Sequence, residues 1–326
     1  MHAPQSPRIP IAQMRSVYRC ADIERRLRKL PPKEHESLRG TYERMLEKGP
    51  ERFQVKPSGI PAMEHLYDEL PNFHAALDDV KRQLALCQDS RDGLEIAPML
   101  LLGPPGIGKT HFAREIAQLL GTGMGFVSMS SLTAGWVLSG ASSQWKGARP
   151  GKVFETLVDG AYANPVMVVD EIDKARGEHA YDPLGALYSL LEHDTAQDFT
   201  DEFAEVAIDA SQVIWVATAN DEHAIPEPIL NRMSVFEVPA PDRDAARAIA
   251  LRLYAKLRDG HDWGQRFDEV PSDSVLDRMS ELAPREMRRT WTAAFGNARL
   301  GGRGVIEVRD LPPNHSGKRG PIGFTH

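Results

Sequence analysis

Two cysteines, Cys20 and Cys87, are all that this 326-residue sequence contains. That is too few for a disulfide framework or for a metal site built from thiolates. Long apolar runs are also missing, since none approaches the roughly 18 residues of a membrane-spanning helix. The N-terminus, interrupted by Pro4, Pro7 and Pro10, lacks the apolar core of a secretory signal. The expected compartment is therefore the cytoplasm.

Long blocks of basic residues are absent as well. The 39 lysines and arginines are outnumbered by 46 aspartates and glutamates, which gives a formal net charge of −7. No basic stripe interleaved with aromatic residues is present, although single-stranded nucleic acid is usually bound by such a stripe. A nucleic-acid partner is therefore disfavoured, while a local basic face stays compatible with the net charge. No internal repeat is found.

The sequence does contain a complete phosphate-loop motif, G-x-x-x-x-G-K-T, at residues 103–110. It follows a short apolar run at 99–102 and opens a helical pattern, which is the context that a phosphate site requires. The glycines let backbone N–H groups turn inward, and the helix N-terminus adds partial positive charge. A glycine turn with a chance Lys-Thr is the disfavoured alternative. The residues predicted to bind nucleotide are Gly103, Pro104, Pro105, Gly106, Ile107, Gly108, Lys109 and Thr110.

Side chains of this loop and of a later strand have predicted chemical roles. Lys109 is expected to reach the β- and γ-phosphates, and the Thr110 hydroxyl is expected to ligate Mg²⁺. The apolar run that starts at Pro165 ends in Asp170 and Glu171. Asp170 is expected to hold Mg²⁺ through water, and Glu171 to polarise the water that attacks the γ-phosphate. Two acids after a strand often begin a solvated loop, but the upstream phosphate loop favours the functional interpretation.

Asn220 ends another apolar strand, predicted at 213–218. Its amide would hydrogen-bond the attacking water or the γ-phosphate, although a turn-forming Asn before Asp221 explains the spacing equally well. The alternation of strand and helix patterns predicts a parallel α/β sheet whose strands are buried on both faces. The other candidate strands are 99–102, 125–129, 166–169 and 235–238.

Helical patterns flank this sheet at both ends of the chain. Residues 1–20 look irregular, and Asn72 is a candidate N-cap for the helix before the sheet. The first two helices have narrow apolar stripes and must pack on something, either as an adaptor to the main domain or as a partner site. The predicted helices are 21–30, 33–48, 242–257, 272–283 and 285–299. The predicted domains are an N-terminal helical extension (1–70), a P-loop ATPase α/β subdomain (71–240), a helical lid (241–303) and a flexible tail (304–326).

Taken together, these motifs resemble the AAA+ ATPases, and the sequence is similar to the ATPase module of Lon proteases. The resemblance covers about residues 65–300. The segments that carry it are 103–110, 164–174, Asp182-Pro183, Ala186-Leu187, 217–220, 225–233 and 284–286. It implies strand order 5-1-4-3-2, a helical lid, ATP and Mg²⁺ as ligands, and a ring of identical subunits, usually six. It also makes Asn220 the sensor-1 residue.

Two arginines take their expected roles from this resemblance. Arg232 corresponds to the arginine finger, which acts on the ATP of the adjacent subunit, although a solvated loop arginine fits the composition equally well. Arg285 follows Pro284 at a predicted helix start, where the lid arginine is expected. Arg288 and Arg289 lie one turn further and are alternatives for that role.

Residues 144–152 are similar to the family's pore loop, in which an aromatic side chain grips extended polypeptide. Trp145 stands where tyrosine is usual, and Lys146 where an apolar residue is usual. A flat aromatic ring can hold many different side chains. The alternative is that Trp145 is buried against its own domain or another subunit. A second pore loop is expected near His179-Ala180-Tyr181.

The sequence also departs from the Lon pattern. The few residues after Gly304 leave no room for a proteolytic domain, so protease activity is not expected. The leading hypothesis is an ATP-hydrolysing ring or spiral that remodels or threads a protein client. A nucleotide-gated scaffold that recruits partner proteins is the alternative, and a nucleic-acid loader or motor is a third.

Overall fold

The structure is a computed structural model that describes residues 11–31, 35–88, 93–131, 136–175 and 182–313. The chain divides into two compact units. The first unit comprises Met1–Pro105 and Lys109–Val238, and the second comprises Gly106–Gly108 and Pro239–His326. Within the described ranges, every helix is too short or too polar to span a bilayer.

The elements of the first unit, in chain order, are β1 (Ile11–Ser16), α1 (Cys20–Lys29), α2 (Glu36–Lys48), β2 (Glu51–Lys56), α3 (Glu64–Glu69), α4 (His74–Leu86), β3 (Met99–Leu102), α5 (Lys109–Leu120), β4 (Met124–Ser128), α6 (Trp136–Ser139), α7 (Lys152–Phe154), β5 (Val166–Asp170), α8 (Leu187–Leu190), α9 (His193–Ala196), β6 (Phe199–Thr200), β7 (Ala207–Ile208), β8 (Ile214–Ala219), α10 (Glu227–Leu230) and β9 (Ser234–Glu237). The second unit contains α11 (Arg243–Asp259), α12 (Asp273–Met279) and α13 (Pro284–Leu300).

A five-stranded parallel sheet forms the centre of the first unit, with strand order β4-β5-β8-β3-β9. If only the strands of this sheet are numbered, in chain order, the order read from β9 is 5-1-4-3-2. The resemblance implies this order, so the prediction of fold class is confirmed. Every residue of β8 is buried, because helices cover both faces of the sheet. Since the strands are parallel, the chain leaves β3, β5 and β8 at one common edge.

The N-terminal segment belongs to the first unit and shares its core. Ile23 of α1 and Tyr42 and Met45 of α2 are buried in the same apolar cluster as the sheet. The Asn164 side chain accepts a hydrogen bond from the Val55 N–H (2.9 Å) and donates one to the Val55 carbonyl (2.7 Å). The apolar stripes of α1 and α2 therefore pack on the main domain, as their narrowness requires.

The expectation of irregular chain before α1 is wrong for β1. This strand pairs antiparallel with β2, from Ile11 opposite Lys56 to Ser16 opposite Glu51. Two helices separate the partners in sequence, and β1 is short with only three apolar residues of six, so local periodicity does not reveal the pairing. The N-terminal extension is therefore not wholly helical. The N-cap of α4 is Phe73 and not Asn72, which corrects a second local prediction.

The second unit is a small helical bundle around an aromatic core. Tyr254 of α11 stacks on Phe295 of α13 with ring centroids 5.1 Å apart, and Trp291 lies edge-on to Tyr254 at 5.0 Å. The Trp291 Nε1–H donates to the Ala250 carbonyl at 2.9 Å, so the buried indole N–H is satisfied. Of the predicted helices here, α12 is shorter than expected because it ends at Met279.

Residues 304–310 do not form the flexible tail that the sequence predicts. Ile306 is buried in the core of the second unit. Asp310 accepts two hydrogen bonds of 2.6 Å from Arg303, and these close the segment onto the end of α13. The Gly and Pro content of residues 304–326 suggests a flexible tail. Composition alone does not indicate that a single apolar residue, Ile306, is buried. Residues 314–326 lie outside the described ranges.

Candidate functional site

The glycine-rich loop runs from the end of β3 to the start of α5. Gly106 has a φ of +80° and Gly108 a φ of +106°, which is backbone that residues with a Cβ rarely adopt. These two glycines let the loop turn tightly before the helix begins at Lys109. The loop therefore has the backbone geometry that a phosphate cradle requires.

Lys109 is buried, and its ammonium group is fully hydrogen-bonded within the first unit. Nζ lies 2.5 Å from the Gly103 carbonyl, 2.9 Å from the Pro104 carbonyl and 3.0 Å from Asn220 Oδ1. These three contacts use all three donors of the ammonium group. Burial lowers the pKa of Lys109, and nearby carboxylates, of which Asp170 is the strongest, oppose that shift. The predicted lysine and the predicted sensor at the end of β8 are therefore in direct contact.

A second set of hydrogen bonds joins α5, β5 and β8 at Asp170. The Thr110 hydroxyl donates to Asp170 Oδ1 at 3.0 Å, and the Thr218 hydroxyl donates to the same oxygen at 2.8 Å. Thr218 Oγ1 also accepts from the Glu171 N–H at 2.9 Å. We call Lys109, Thr110, Asp170, Thr218 and Asn220 the phosphate-site cluster. Its members converge at the carboxyl edge of the sheet.

Thr218 has no role in the sequence-based prediction, although a signal for it exists. It is a polar residue within the continuous apolar run of β8, and its residue surface is only 1% exposed. A buried hydroxyl requires hydrogen-bond partners, so such a position in a buried strand indicates a polar contact at the sheet edge.

Glu171 adopts left-handed backbone, with φ 56° and ψ 49°. This conformation is uncommon for a residue with a Cβ and costs on the order of 1 kcal/mol. The bond from the Glu171 N–H to Thr218 helps to hold it. The chain therefore leaves β5 through a sharp turn that fixes where the Glu171 side chain starts.

Arg232 lies outside the phosphate-site cluster. Its Nη1 donates to the Pro228 carbonyl at 2.5 Å, and its Nε lies 2.6 Å from Glu192 Oε1. The Nε contact is an ion pair without the alignment of a hydrogen bond. Within the described part of the chain, these are its hydrogen-bond and ion-pair partners. The structure thus does not bring Arg232 to Lys109 of the same chain.

Arg285 belongs to the second unit, which also includes Gly106. Within that unit, the Arg285 N–H donates to the Gly106 carbonyl at 3.2 Å. A Cβ placed on Gly106 would lie 3.3 Å from the Arg285 Cβ. Arg288 and Arg289 are exposed on the same helix, as is Arg285. The backbone contact with the glycine loop distinguishes Arg285 from the other two.

Trp145 lies in a tight turn between α6 and α7. Its N–H donates to the Ser142 carbonyl at 2.9 Å, and its carbonyl accepts from the Ala148 N–H at 3.1 Å. The residue is 48% exposed, so burial against its own domain is wrong, whereas burial against another subunit stays a prediction. Lys146 is exposed beside it. The expected second pore loop at His179-Ala180-Tyr181 lies outside the described residues.

Asp201 anchors the base of the Trp145 loop, and no sequence motif indicated it. Its Oδ2 accepts from the Gly151 N–H at 2.8 Å, and its Oδ1 accepts from the N–H groups of Phe203 (3.0 Å) and Ala204 (2.9 Å). The side chain is fully buried. Burial raises the pKa of Asp201 to about 6, and the three backbone donors limit the shift. One carboxylate thus ties the loop to the hairpin of β6 and β7.

Residues 99–239 match the family model described as ATPase family associated with various cellular activities (AAA). The Lon protease of Halothermothrix orenii is 34% identical over 205 residues, which are 62% of this chain and 26% of that protein. Human peroxisomal Lon protease homolog 2 is 29% identical over 264 residues, which are 79% of this chain and 31% of that protein. The chain thus spans less than a third of the length of these relatives.

A solved structure gives the same fold at lower identity. The S. cerevisiae Hsp104:casein complex in its extended conformation matches with a TM-score of 0.57 and 18% identity. The match covers 84% of this chain and 49% of that chain. At this identity the likeness concerns the fold alone.

The raised pKa of Asp201 predicts a pH dependence of stability. The folded state binds this proton more tightly than the unfolded chain, whose aspartate titrates near 3.8. The contribution of Asp201 to the free energy of unfolding is therefore largest below about pH 4 and falls as the pH rises to about 6. Relative to Asp201→Asn, the wild type should lose on the order of 2 kcal/mol between pH 4 and pH 7.

Urea unfolding of both proteins across this pH range measures the difference. The matched control is Asp68→Asn, which removes an exposed carboxylate and should leave the pH dependence of the wild type unchanged. If the free energies of unfolding of wild type and Asp201→Asn differ by the same amount at every pH, the raised pKa of Asp201 is contradicted.

Proposed function

We propose that the chain binds ATP with Mg²⁺ and hydrolyses it to ADP and phosphate, because residues 99–239 match the AAA family model. The observation that carries this proposal is the phosphate-site cluster. It places a lysine, two hydroxyls, a carboxylate and an amide at the edge where the glycine loop begins. Phosphoryl transfer requires such positioned charges and hydrogen bonds more than covalent chemistry by the protein.

The residues of the cluster suit ATP and Mg²⁺. The Thr110 hydroxyl and the Asp170 carboxylate, 3.0 Å apart, are the oxygen ligands that Mg²⁺ prefers, and they would hold the ion directly or through water. When bound, the ion would supply positive charge against the phosphates. Lys109 would exchange its two carbonyl contacts for phosphate oxygens, which offer a buried cation stronger compensation than neutral carbonyls. The residues at 103–108 would supply the backbone of the cradle.

Glu171 and Asn220 are proposed to act on the attacking water. The Glu171 carboxylate would accept its proton, and the Asn220 amide would orient it or the γ-phosphate. The turn held by Thr218 restricts where the carboxylate can lie. Arg285 stays the proposed lid arginine for the nucleotide, because its backbone contacts the Gly106 carbonyl at 3.2 Å.

We propose further that Arg232 acts in trans, on ATP bound to a neighbouring copy of this chain in a homo-oligomer, most simply a hexamer. Its contacts with Glu192 and Pro228 support this, because they keep it apart from the cluster of its own subunit. A guanidinium on the γ-phosphate would neutralise charge in the transition state, an effect worth roughly 10³–10⁵ in rate in related chemistry.

The ATP energy is proposed to remodel or thread a protein client, in the cytoplasm. The exposed Trp145 with its neighbour Lys146 supports threading, because Trp145 is 48% exposed and an aromatic ring can hold many different side chains. The proposal concerns the segment that the Lon relatives share and does not extend to proteolysis. The second candidate is a nucleotide-gated scaffold, which would bind and hydrolyse ATP without any response to an unfolded chain.

Substitution of Lys109 and of Glu171 should abolish ATP hydrolysis for different reasons. Lys109→Ala removes a phosphate contact, so ATP affinity should fall by about tenfold or more, which is about 1.4 kcal/mol. Glu171→Gln keeps the shape but removes the base, so ATP should bind normally while turnover falls roughly 10²–10⁴-fold. Isothermal titration with ATP and a phosphate-release assay separate the two effects.

Exposed residues provide the controls for this pair of variants. Lys256→Ala and Glu222→Gln make the same chemical changes on exposed side chains and should retain wild-type affinity and turnover. Equal ATP affinity in wild type and Lys109→Ala would contradict the proposal that the loop at residues 103–110 binds the phosphates of ATP.

A mixture of two inactive proteins should regain activity if Arg232 acts in trans. In a mixed assembly of Arg232→Ala and Glu171→Gln subunits, one kind of interface has an intact carboxylate and an intact finger, which neither variant has alone. Phosphate release from mixtures at varied ratios should pass through a maximum near equal proportions. Full activity of the wild type at dilutions where it is monomeric by light scattering would show that no neighbour is needed.

A further inference from the structure

A cavity of about 590 Å³ lies within the first unit beside Trp145. Its size is in the range of roughly 300–1,000 Å³ that is typical of ligand sites. Its wall includes two tryptophans, Trp136 and Trp145, and three acidic residues, Asp182, Asp198 and Glu202. None of these residues belongs to the phosphate-site cluster, so the cavity requires its own explanation.

The charged residues that line the cavity within the described ranges are all acidic. Three carboxylates line the cavity, and within the described part of the chain no lysine, arginine or histidine does so. Asp182, Asp198 and Glu202 are all exposed. An anionic ligand would be repelled here, whereas a cation would gain from all three groups.

The hydroxyl groups of the wall strengthen this preference. Ser139 Oγ donates to Glu202 Oε1 at 3.0 Å, Ser189 Oγ to the Ala186 carbonyl at 3.1 Å, and Thr195 Oγ1 to the Ser189 carbonyl at 2.6 Å. Each hydroxyl has one hydrogen, so these groups retain only acceptor lone pairs for a ligand. The side chains of the cavity thus offer many acceptors and few donors. Lysine and arginine side chains are the complement, because they have three and five donors and no acceptor.

The tryptophans favour the same ligand. Trp is the strongest aromatic partner of ammonium and guanidinium groups. Trp136 is half-buried and Trp145 is 48% exposed, so aromatic surface and carboxylates line one space. An apolar ligand would use the rings but would bring no positive charge to the three carboxylates.

We propose that this cavity binds lysine or arginine side chains of a polypeptide segment, and that it gives the Trp145 loop a preference for basic clients. The inference rests on the proposed function only in taking the client to be a protein. It adds a chemical preference, since an aromatic grip alone would accept segments of any charge.

The direct test is binding of short peptides to the full chain. Three Gly/Ser peptides carry lysine, glutamine or glutamate at the same positions and an uncharged fluorophore. Fluorescence anisotropy at moderate salt should give an affinity about tenfold higher for the lysine peptide than for the glutamine peptide, with the glutamate peptide weakest. Equal affinity for the lysine and glutamine peptides overturns the inference.

Charge-removing variants locate the effect. Asp182→Asn, Asp198→Asn and Glu202→Gln together keep side-chain shape and should abolish the preference for lysine. The matched control combines Glu43→Gln, Glu47→Gln and Glu269→Gln, three exposed carboxylates outside the cavity, and should retain it. Persistence of the lysine preference in the cavity variant contradicts the inference. If the triple variant does not fold, Asp198→Asn alone should reduce the affinity for the lysine peptide two- to threefold.

The same peptides separate this inference from the proposed function. ATP hydrolysis that is stimulated equally by lysine- and glutamine-bearing unfolded chains would support the ATPase and threading proposal and overturn the cavity preference. Selective binding of the lysine peptide by a protein that does not hydrolyse ATP would support the cavity and overturn the proposed activity.

Discussion

One carboxylate oxygen, Asp170 Oδ1, accepts hydrogen bonds from two hydroxyls, Thr110 at 3.0 Å and Thr218 at 2.8 Å. The hydroxyls come from the helix after the glycine loop and from a neighbouring strand. Through this oxygen the two elements are fixed to the end of β5. Thr218 Oγ1 also accepts a hydrogen bond from the Glu171 N–H, so the backbone of Glu171 is held by the same side chain. The placement of the proposed catalytic carboxylate therefore depends on a contact between the ends of two neighbouring parallel strands, β5 and β8.

At the same edge of the sheet, the buried ammonium group of Lys109 has hydrogen-bond partners from the protein for all of its donors. Lys109 has its three donors on two loop carbonyls and Asn220. A buried ammonium without such partners would lose several kcal/mol of solvation. These contacts hold the lysine in place, and they are weaker than the contacts that phosphate oxygens would offer. The arrangement thus favours exchange when an anion enters the loop.

Much of this architecture was predictable because its signals are local. Apolar runs predicted the five strands. The central strands β3, β5 and β8 are almost wholly buried and need apolar side chains throughout, whereas the edge strands β4 and β9 are partly exposed. The glycine loop was predictable because Gly106 and Gly108 take backbone that other residues avoid. The pairing of β1 with β2 was not predictable, because two helices separate these strands in the sequence. Asp201 was not predictable either, since the donor that links it to the Trp145 loop, the Gly151 N–H, lies 50 residues away in the chain. Thr218 was accessible in principle, as a buried hydroxyl in an apolar strand.

The most direct test of the account is the dependence of ATP turnover on the Thr218 hydroxyl. Thr218→Val keeps the shape but removes both hydrogen bonds, so kcat should fall by about tenfold or more, while ATP affinity changes by less than about threefold. Thr218→Ser restores the hydroxyl and should recover most of the rate, whereas Thr292→Val, an exposed control, should have no effect. Wild-type turnover in Thr218→Val would contradict the claim that this hydroxyl places the proposed catalytic carboxylate.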